Sequence, residues 1–154
     1  ALIGGGYDYR IGGFSIGPVA SLSYTYIGLN AFQESGSDAP LQFTSQSQDS
    51  LKSGLGLRAS YAWNVGGVVI KPEVKAQWQH EFLDSTASVE SGFVGGAGVF
   101  TVNGPSIGRD ALLLDAGASV QFSETISAFA YYTGEYGRSN YSSNAVTGGF
   151  RINF

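Results

Sequence analysis

Alternation with a period of two runs through almost every segment of this chain, while a helical period is almost absent. Residues 68–82 show it most fully. Val68, Ile70, Pro72, Val74, Ala76, Trp78, His80 and Phe82 share one parity, and Lys71, Glu73, Lys75, Gln77, Gln79 and Glu81 share the other. Successive side chains of a strand point to opposite faces, so this segment predicts a strand with one apolar and one charged face. In 110–122, Leu112, Leu114, Ala116, Ala118, Val120 and Phe122 oppose Asp110, Asp115, Gly117, Ser119 and Gln121. In 51–63, Leu51, Leu55, Leu57, Ala59, Tyr61 and Trp63 oppose Lys52, Gly54, Gly56, Arg58 and Ser60. Segments 16–26 and 146–154 repeat the pattern. Segment 126–136 is ambiguous, because Phe129 and Tyr131 share a parity with Thr133 and Glu135.

The pattern predicts an all-β chain of seven strands: 1–11, 14–34, 41–63, 67–83, 109–123, 126–138 and 144–154. Several exceed the ~5–6 residues usual in globular strands and the ~9–11 needed to cross a membrane. Large aromatics cluster at strand ends on the apolar faces. Tyr61, Trp63, Phe122 and Phe154 fall at one level, and Tyr24, Tyr26, Trp78, Phe82, Tyr132 and Tyr136 at the other. Aromatic girdles of this kind mark the two interfaces of a transmembrane barrel, whereas a soluble sandwich buries its aromatics mid-strand. The expected fold is therefore an antiparallel transmembrane β-barrel. Turns 64–67 and 123–125 are tight and predicted periplasmic, and 34–41, 84–108 and 138–144 are predicted external. Reading 86–103 as an eighth spanning strand would reverse the preceding strands, so a small non-spanning hairpin is expected there.

Composition narrows the classes further. Of 154 residues, 23 are Gly, none is Cys or Met, and only 13% are charged. Absent cysteine excludes disulfide scaffolds and Cys-ligated zinc modules. A net charge of −4 argues against nucleic-acid binding, which needs a basic stripe. No run of about 18 apolar residues exists for a transmembrane helix, and no secretory-leader pattern opens the sequence. A mean hydropathy of +0.03 is what alternating lipid-facing and polar positions would average to.

The last eight residues, Thr147-Gly148-Gly149-Phe150-Arg151-Ile152-Asn153-Phe154, read polar–x–Gly–x–x–hydrophobic–x–aromatic. This is the sorting pattern through which the barrel assembly machinery recognises outer-membrane barrels, carried here by Thr147, Gly149, Ile152 and Phe154. Beyond it, the chain resembles the C-terminal β-domain of autotransporters (type V secretion). The resemblance rests on Gly17-Pro18 before Ser23-Tyr24-Thr25, then Phe32-Gln33-Glu34-Ser35-Gly36, Gly54-Leu55-Gly56-Leu57-Arg58 and Pro72-Glu73-Val74. It continues through Trp78-Gln79-His80-Glu81-Phe82, Gly108-Arg109-Asp110-Ala111 and the terminal Gly-Phe-Arg-Ile-Asn-Phe. It implies the last seven or so strands of a twelve-stranded barrel threaded by a helix, with 84–108 as the large fifth external loop. It also implies an outer-membrane anchor and translocator of a Gram-negative bacterium, inserted by the barrel assembly machinery with periplasmic chaperones and exporting an N-terminal passenger. The implied partners are outer-membrane lipid, that machinery, the passenger and the remaining barrel strands. Seven antiparallel strands cannot close on themselves, because the first and last would run parallel.

Candidate site residues follow from the faces. Lys52, Arg58, Lys71, Glu73, Lys75, Glu81, Asp115, Glu135 and Arg151 are expected to line a mixed-charge lumen, with Asp8 and Arg10, and Arg109 and Arg138 at strand ends. They either pack around a threaded segment or form ordinary salt bridges that stiffen the barrel. His80 is the sole histidine and falls among the girdle aromatics, which excludes multi-histidine metal sites. Gly54-x-Gly56-x-x-Ala59 lacks the βαβ context of a dinucleotide fingerprint. Self-cleaving autotransporters use lumenal acids, which the resemblance would place at Glu73, Asp115 and Glu135, but the scissile segment is absent from the sequence and no self-cleaving site is expected. Seven further acids (Glu34, Asp38, Asp49, Asp84, Glu90, Asp110, Glu124) fall in or beside loops and read as a solvated rim. No catalytic, cofactor or metal residue is expected. The competing readings are a small outer-membrane barrel acting as adhesin or porin, and an outer-membrane barrel enzyme.

Overall fold

A computed structural model of the chain describes residues 1–84, 86, 88–96 and 98–153. It is built from strands alone among these residues: β1 (Leu2–Gly6), β2 (Tyr9–Ile11), β3 (Phe14–Leu29), β4 (Phe32–Gln33), β5 (Leu41–Phe43), β6 (Gln46–Tyr61), β7 (Trp63–Val65), β8 (Val68–Glu81), β9 (Ser88–Phe93), β10 (Phe100–Asn103), β11 (Asp110–Gln121), β12 (Ile126–Tyr136) and β13 (Ser143–Ile152). The main sheet runs β1-β3-β6-β8-β11-β12-β13, with β2 beside β3 and β7 beside β8. Every pairing is antiparallel. Seven arms thus follow one another as an up-and-down meander, and the sheet does not close: β1 and β13 are its two edges.

The turns at one end are short for identifiable reasons. Val65 pairs with Val68, so Gly66 and Gly67 form a two-residue loop, with φ of 59° and 88°. Two positive φ angles in succession are the geometry that matches hairpin twist, and glycine adopts it without strain. At 123–125 the Ser123 hydroxyl accepts from the N–H of Thr125 and Ile126, at 3.3 and 3.1 Å, and closes the β11–β12 turn.

At the other end the chain builds a second sheet, β10-β9-β5-β4. The β3–β6 hairpin pairs Phe14 with Tyr61 through to Leu29 with Gln46, and resumes with Phe32 opposite Phe43. The offset is unchanged, so β4 and β5 continue the same two arms beyond a break at 30–31 and 44–45. The structure therefore divides the segments 14–34 and 41–63 that the sequence presents as unbroken. Leu41–Phe43 then pairs with β9, and β9 with β10. β9 and β10 pair as a hairpin in this smaller sheet, outside the seven-armed one.

Burial is inverted relative to a water-soluble core. Among the described residues Ala111, 3% exposed, is the one buried apolar side chain, while Gln77, Glu81, Ser91 and Arg138 are buried. Leu55, Leu57, Val74 and Trp78, on the opposite face, expose between 45% and 57% of their surface. Leaving such side chains in water forgoes about 1.5–3 kcal/mol each. The total accessible surface is 10333 Å², against about 7,400 Å² for a compact protein of this mass. An open sheet with an outward apolar face accounts for both quantities.

Candidate functional site

Register places the charged residues on one face. Lys75 lies between Arg58 on β6 and Asp115 on β11, Glu73 pairs with Ser60, and Lys52 with Glu81. Asp115 faces Thr133, Glu135 faces Leu113, and Arg151 faces Ser127. With Lys71 on the same parity, Lys52, Arg58, Lys71, Glu73, Lys75, Glu81, Asp115, Glu135 and Arg151 all share this polar face. Side-chain geometry pairs most of them. Arg58 meets Asp8 at 2.8 Å, Lys75 meets Asp115 at 2.6 Å, and Lys71 meets Glu73 at 3.5 Å. Glu135 pairs with Arg138. The three carboxylates considered as a self-cleaving set, Glu73, Asp115 and Glu135, each bind a cation of their own.

The ambiguous aromatics of 126–136 also belong to the polar face, and glycines explain why. Tyr131 faces Gly117, and Phe129 faces Gly149. A Cβ at Gly117 would stand 2.4 Å from the Tyr131 ring, and one at Gly149 would stand 2.9 Å from that of Phe129. Each ring thus covers the bare backbone of a neighbouring strand, a joint that offsets the weakness of glycine inside a strand. Gly17 has a different duty. A Cβ there would lie 1.5 Å from the Tyr7 carbonyl oxygen. The chain between β1 and β2 bends inward against this glycine, next to the Asp8–Arg58 pair.

The girdle residues Tyr24, Tyr26, Tyr61, Trp63, Trp78, Phe82, Phe122 and Tyr136 are exposed on the apolar face. Tyr132 is half-buried; its hydroxyl hydrogen-bonds that of Tyr136 and donates to the Asn144 amide oxygen. His80 stacks edge-on to Phe82 at 4.8 Å, and its Nδ1 lies 2.8 Å from Asp110. Trp78 donates to the same carboxylate oxygen at 3.0 Å. Asp110, grouped by sequence with the polar set, therefore stands on the apolar-face row. Its even parity puts it beside His80, where the carboxylate is held by two ring donors. Ser53 pairs with His80 on the next strand, completing a Ser–His–Asp row, but among the described residues no hydrogen bond joins Ser53 to His80.

Of the terminal-signal residues, Thr147 faces Tyr131, Gly149 faces Phe129, and Ile152 faces Ile126 with an exposed side chain. Phe154 lies outside the described residues. The buried Arg138 is a residue whose importance sequence reasoning understated. Its partners Gly108 and Gln79 lie 30 and 59 residues away, so no local pattern announces them.

Comparison with known proteins agrees with this architecture. A family model for the autotransporter β-domain matches residues 1–133. Two proteins described as extracellular serine proteases of Serratia marcescens are each 30% identical to the chain over 149 residues. These matches cover 97% of the chain and 14% of either relative, so the chain spans about a seventh of their length. An open antiparallel meander with its charged residues on one face, matched along most of its length by the family model, belongs to the autotransporter β-domain family.

Proposed function

We propose that the chain is the C-terminal portion of an outer-membrane translocator, which anchors in the lipid of a Gram-negative outer membrane and supports export of an N-terminal passenger. The observation that carries this reading is the inverted burial: ion pairs sit on the sheltered face and leucines, tryptophans and tyrosines on the exposed one. In a bilayer the exposed face is solvated by acyl chains, and the paired charges line a lumen. The open edges β1 and β13 would leave backbone groups unsatisfied in hydrocarbon, at several kcal/mol each. The remaining strands of the barrel, supplied by the rest of the protein, satisfy them. Serine protease activity is a description of the longer relatives. In this reading the chain itself is not an enzyme, and any such activity belongs to the exported passenger.

Insertion by the barrel assembly machinery is read from Thr147, Gly149, Ile152 and Phe154 on the last strand. Replacing Phe154 by Ala in the full-length protein is expected to cut the urea-resistant, heat-modifiable membrane form to a small fraction. Unimpaired assembly of that variant would remove the sorting role from this strand.

A further inference from the structure

Pro72 stands inside β8, which has β6 and β7 on one side and β11 on the other. Proline has no N–H to give to a ladder, and within sheets it is otherwise confined to edge strands, strand starts and bulges. The phase of the ladder shows which bond is missing. Successive pairs of an antiparallel ladder alternate between exchanging hydrogen bonds and not exchanging them. Phe82 donates to the Leu51 carbonyl at 2.9 Å, so the bonded pairs join odd residues of β6 to even residues of β8. Ala62 donates to the Gly13 carbonyl at 2.7 Å, so the even residues of this arm turn to β3 and Tyr61 turns to β8.

The ladder stops at Ser60 opposite Glu73 and resumes at Trp63 opposite Ile70 with the same offset. Tyr61 and Pro72 fall opposite each other in the gap. The Tyr61 carbonyl therefore points at a residue that cannot donate, and among the described residues no other hydrogen bond reaches it. Pro18 in β3 meets the same conflict differently. Tyr7 still donates to the Pro18 carbonyl at 3.1 Å, but its own carbonyl oxygen turns in over Gly17 on the polar face. At Tyr61 the register is kept and the carbonyl stays in the wall. In a wall that meets hydrocarbon, such a carbonyl is costly until something donates to it.

A groove of about 250 Å³ opens at this point, lined by Phe14, Ala59, Tyr61, Pro72 and Val74, all on the apolar face. Phe14 is the cross-strand partner of Tyr61, and Ala59 that of Val74, so the short side chains at 59 and 72 leave a recess between longer neighbours. The groove lies at the level of the Tyr61 and Trp63 girdle, where headgroups of the periplasmic leaflet meet acyl chains.

We propose that this groove binds a phospholipid whose headgroup carries an N–H donor, as the ethanolamine ammonium does. The head donates to the Tyr61 carbonyl, and an acyl chain lies along Ala59, Pro72 and Val74. This rests on the topology proposed above, which sets the groove in the lipid-facing wall. A choline head, whose nitrogen bears no hydrogen, leaves the carbonyl unpaired.

The test places the full-length protein in vesicles of phosphatidylcholine alone and in vesicles of equal parts phosphatidylcholine and phosphatidylethanolamine. Unfolding in urea is followed by loss of heat-modifiable mobility. The unchanged protein is expected to unfold about tenfold more slowly where the ethanolamine head is present, the size expected for one hydrogen bond from a charged donor. Pro72→Ala supplies the missing N–H. It is expected to unfold about tenfold more slowly than the unchanged protein in phosphatidylcholine, and to gain nothing further from phosphatidylethanolamine. Ala59→Leu fills the groove while keeping the proline, and should lose the headgroup effect without the stability of Pro72→Ala. An equal headgroup effect in the unchanged protein and in Pro72→Ala would overturn the site, because the effect would then belong to the bilayer as a whole. Pro72→Ala unfolding as fast as the unchanged protein in phosphatidylcholine would also overturn it, since water would then already satisfy the carbonyl. A barrel that inserts in both vesicles and ignores the headgroup loses the site alone, whereas failure to insert in either overturns the topology with it.

Discussion

Lysine in place of Leu57 is expected to cost about 2–4 kcal/mol of barrel stability, and lysine in place of Ser60 almost nothing. The two residues sit three apart on the same strand but on opposite faces. Leu57 is an exposed apolar side chain in the middle of the outward face, where a charge would sit in hydrocarbon. Ser60 lies opposite Glu73, so a lysine there gains a carboxylate across the strand pair. Urea-induced unfolding of the intact barrel from lipid vesicles measures both. A soluble protein with the same strands would tolerate the first substitution, because a surface leucine exchanged for lysine on a wet sheet changes stability little.

The alternation behind that contrast was legible in the sequence because strand geometry is local. A parity assigned at Val74 holds through the whole of β8, and the cross-strand register carries it to β6 and to β11 from Ala111 onward. Non-local facts were not legible. Phe129 and Tyr131 look like members of an apolar face until Gly149 and Gly117 are placed under them, and those glycines are on neighbouring strands. Asp110 opens β11 with the parity of the leucines, where its largely exposed carboxylate accepts from the Trp78 ring and meets that of His80. The break at 30–31 and 44–45 is invisible for another reason. Both flanking stretches are good strand sequence with a single unbroken offset, and what divides them is a change of neighbour, from β8 and its sheet to β9 and its own. Arg138 is the extreme case. A lone arginine after a strand has no pattern at all, yet its guanidinium reaches Glu135 on β12, Gln79 on β8 and the Gly108 carbonyl before β11.

Alanine at Gly17 is the second substitution expected to have a large effect, about 3 kcal/mol, the upper end for forcing one carbon into a filled site. The added Cβ would stand 1.5 Å from the Tyr7 carbonyl oxygen, and no rotamer can relieve a clash made by Cβ itself. The chain at Tyr7–Asp8 would have to move away, and the Arg58–Asp8 pair would open with it. The companion substitution Gly5→Ala meets nothing within 4 Å and is expected to be nearly silent. Comparing heat-modifiable mobility and urea midpoint for the two separates a steric requirement at Gly17 from a general aversion of the β1–β3 pair to added side chains. Equal behaviour of the pair would mean that the bend at Tyr7 does not press on Gly17.

Which face of the sheet meets lipid decides whether the paired charges line a lumen. The chain contains no cysteine, so single cysteines can be introduced along β8 without a background. Labels placed one at a time at residues 70, 71, 73, 74, 75 and 76 of the membrane-inserted protein can be challenged with a lipid-soluble quencher and with a water-soluble thiol reagent. Quenching by the lipid probe is predicted at 70, 74 and 76, and reaction from water at 71, 73 and 75. A reversed alternation, or the same response at every position, would contradict a barrel that turns its charges inward.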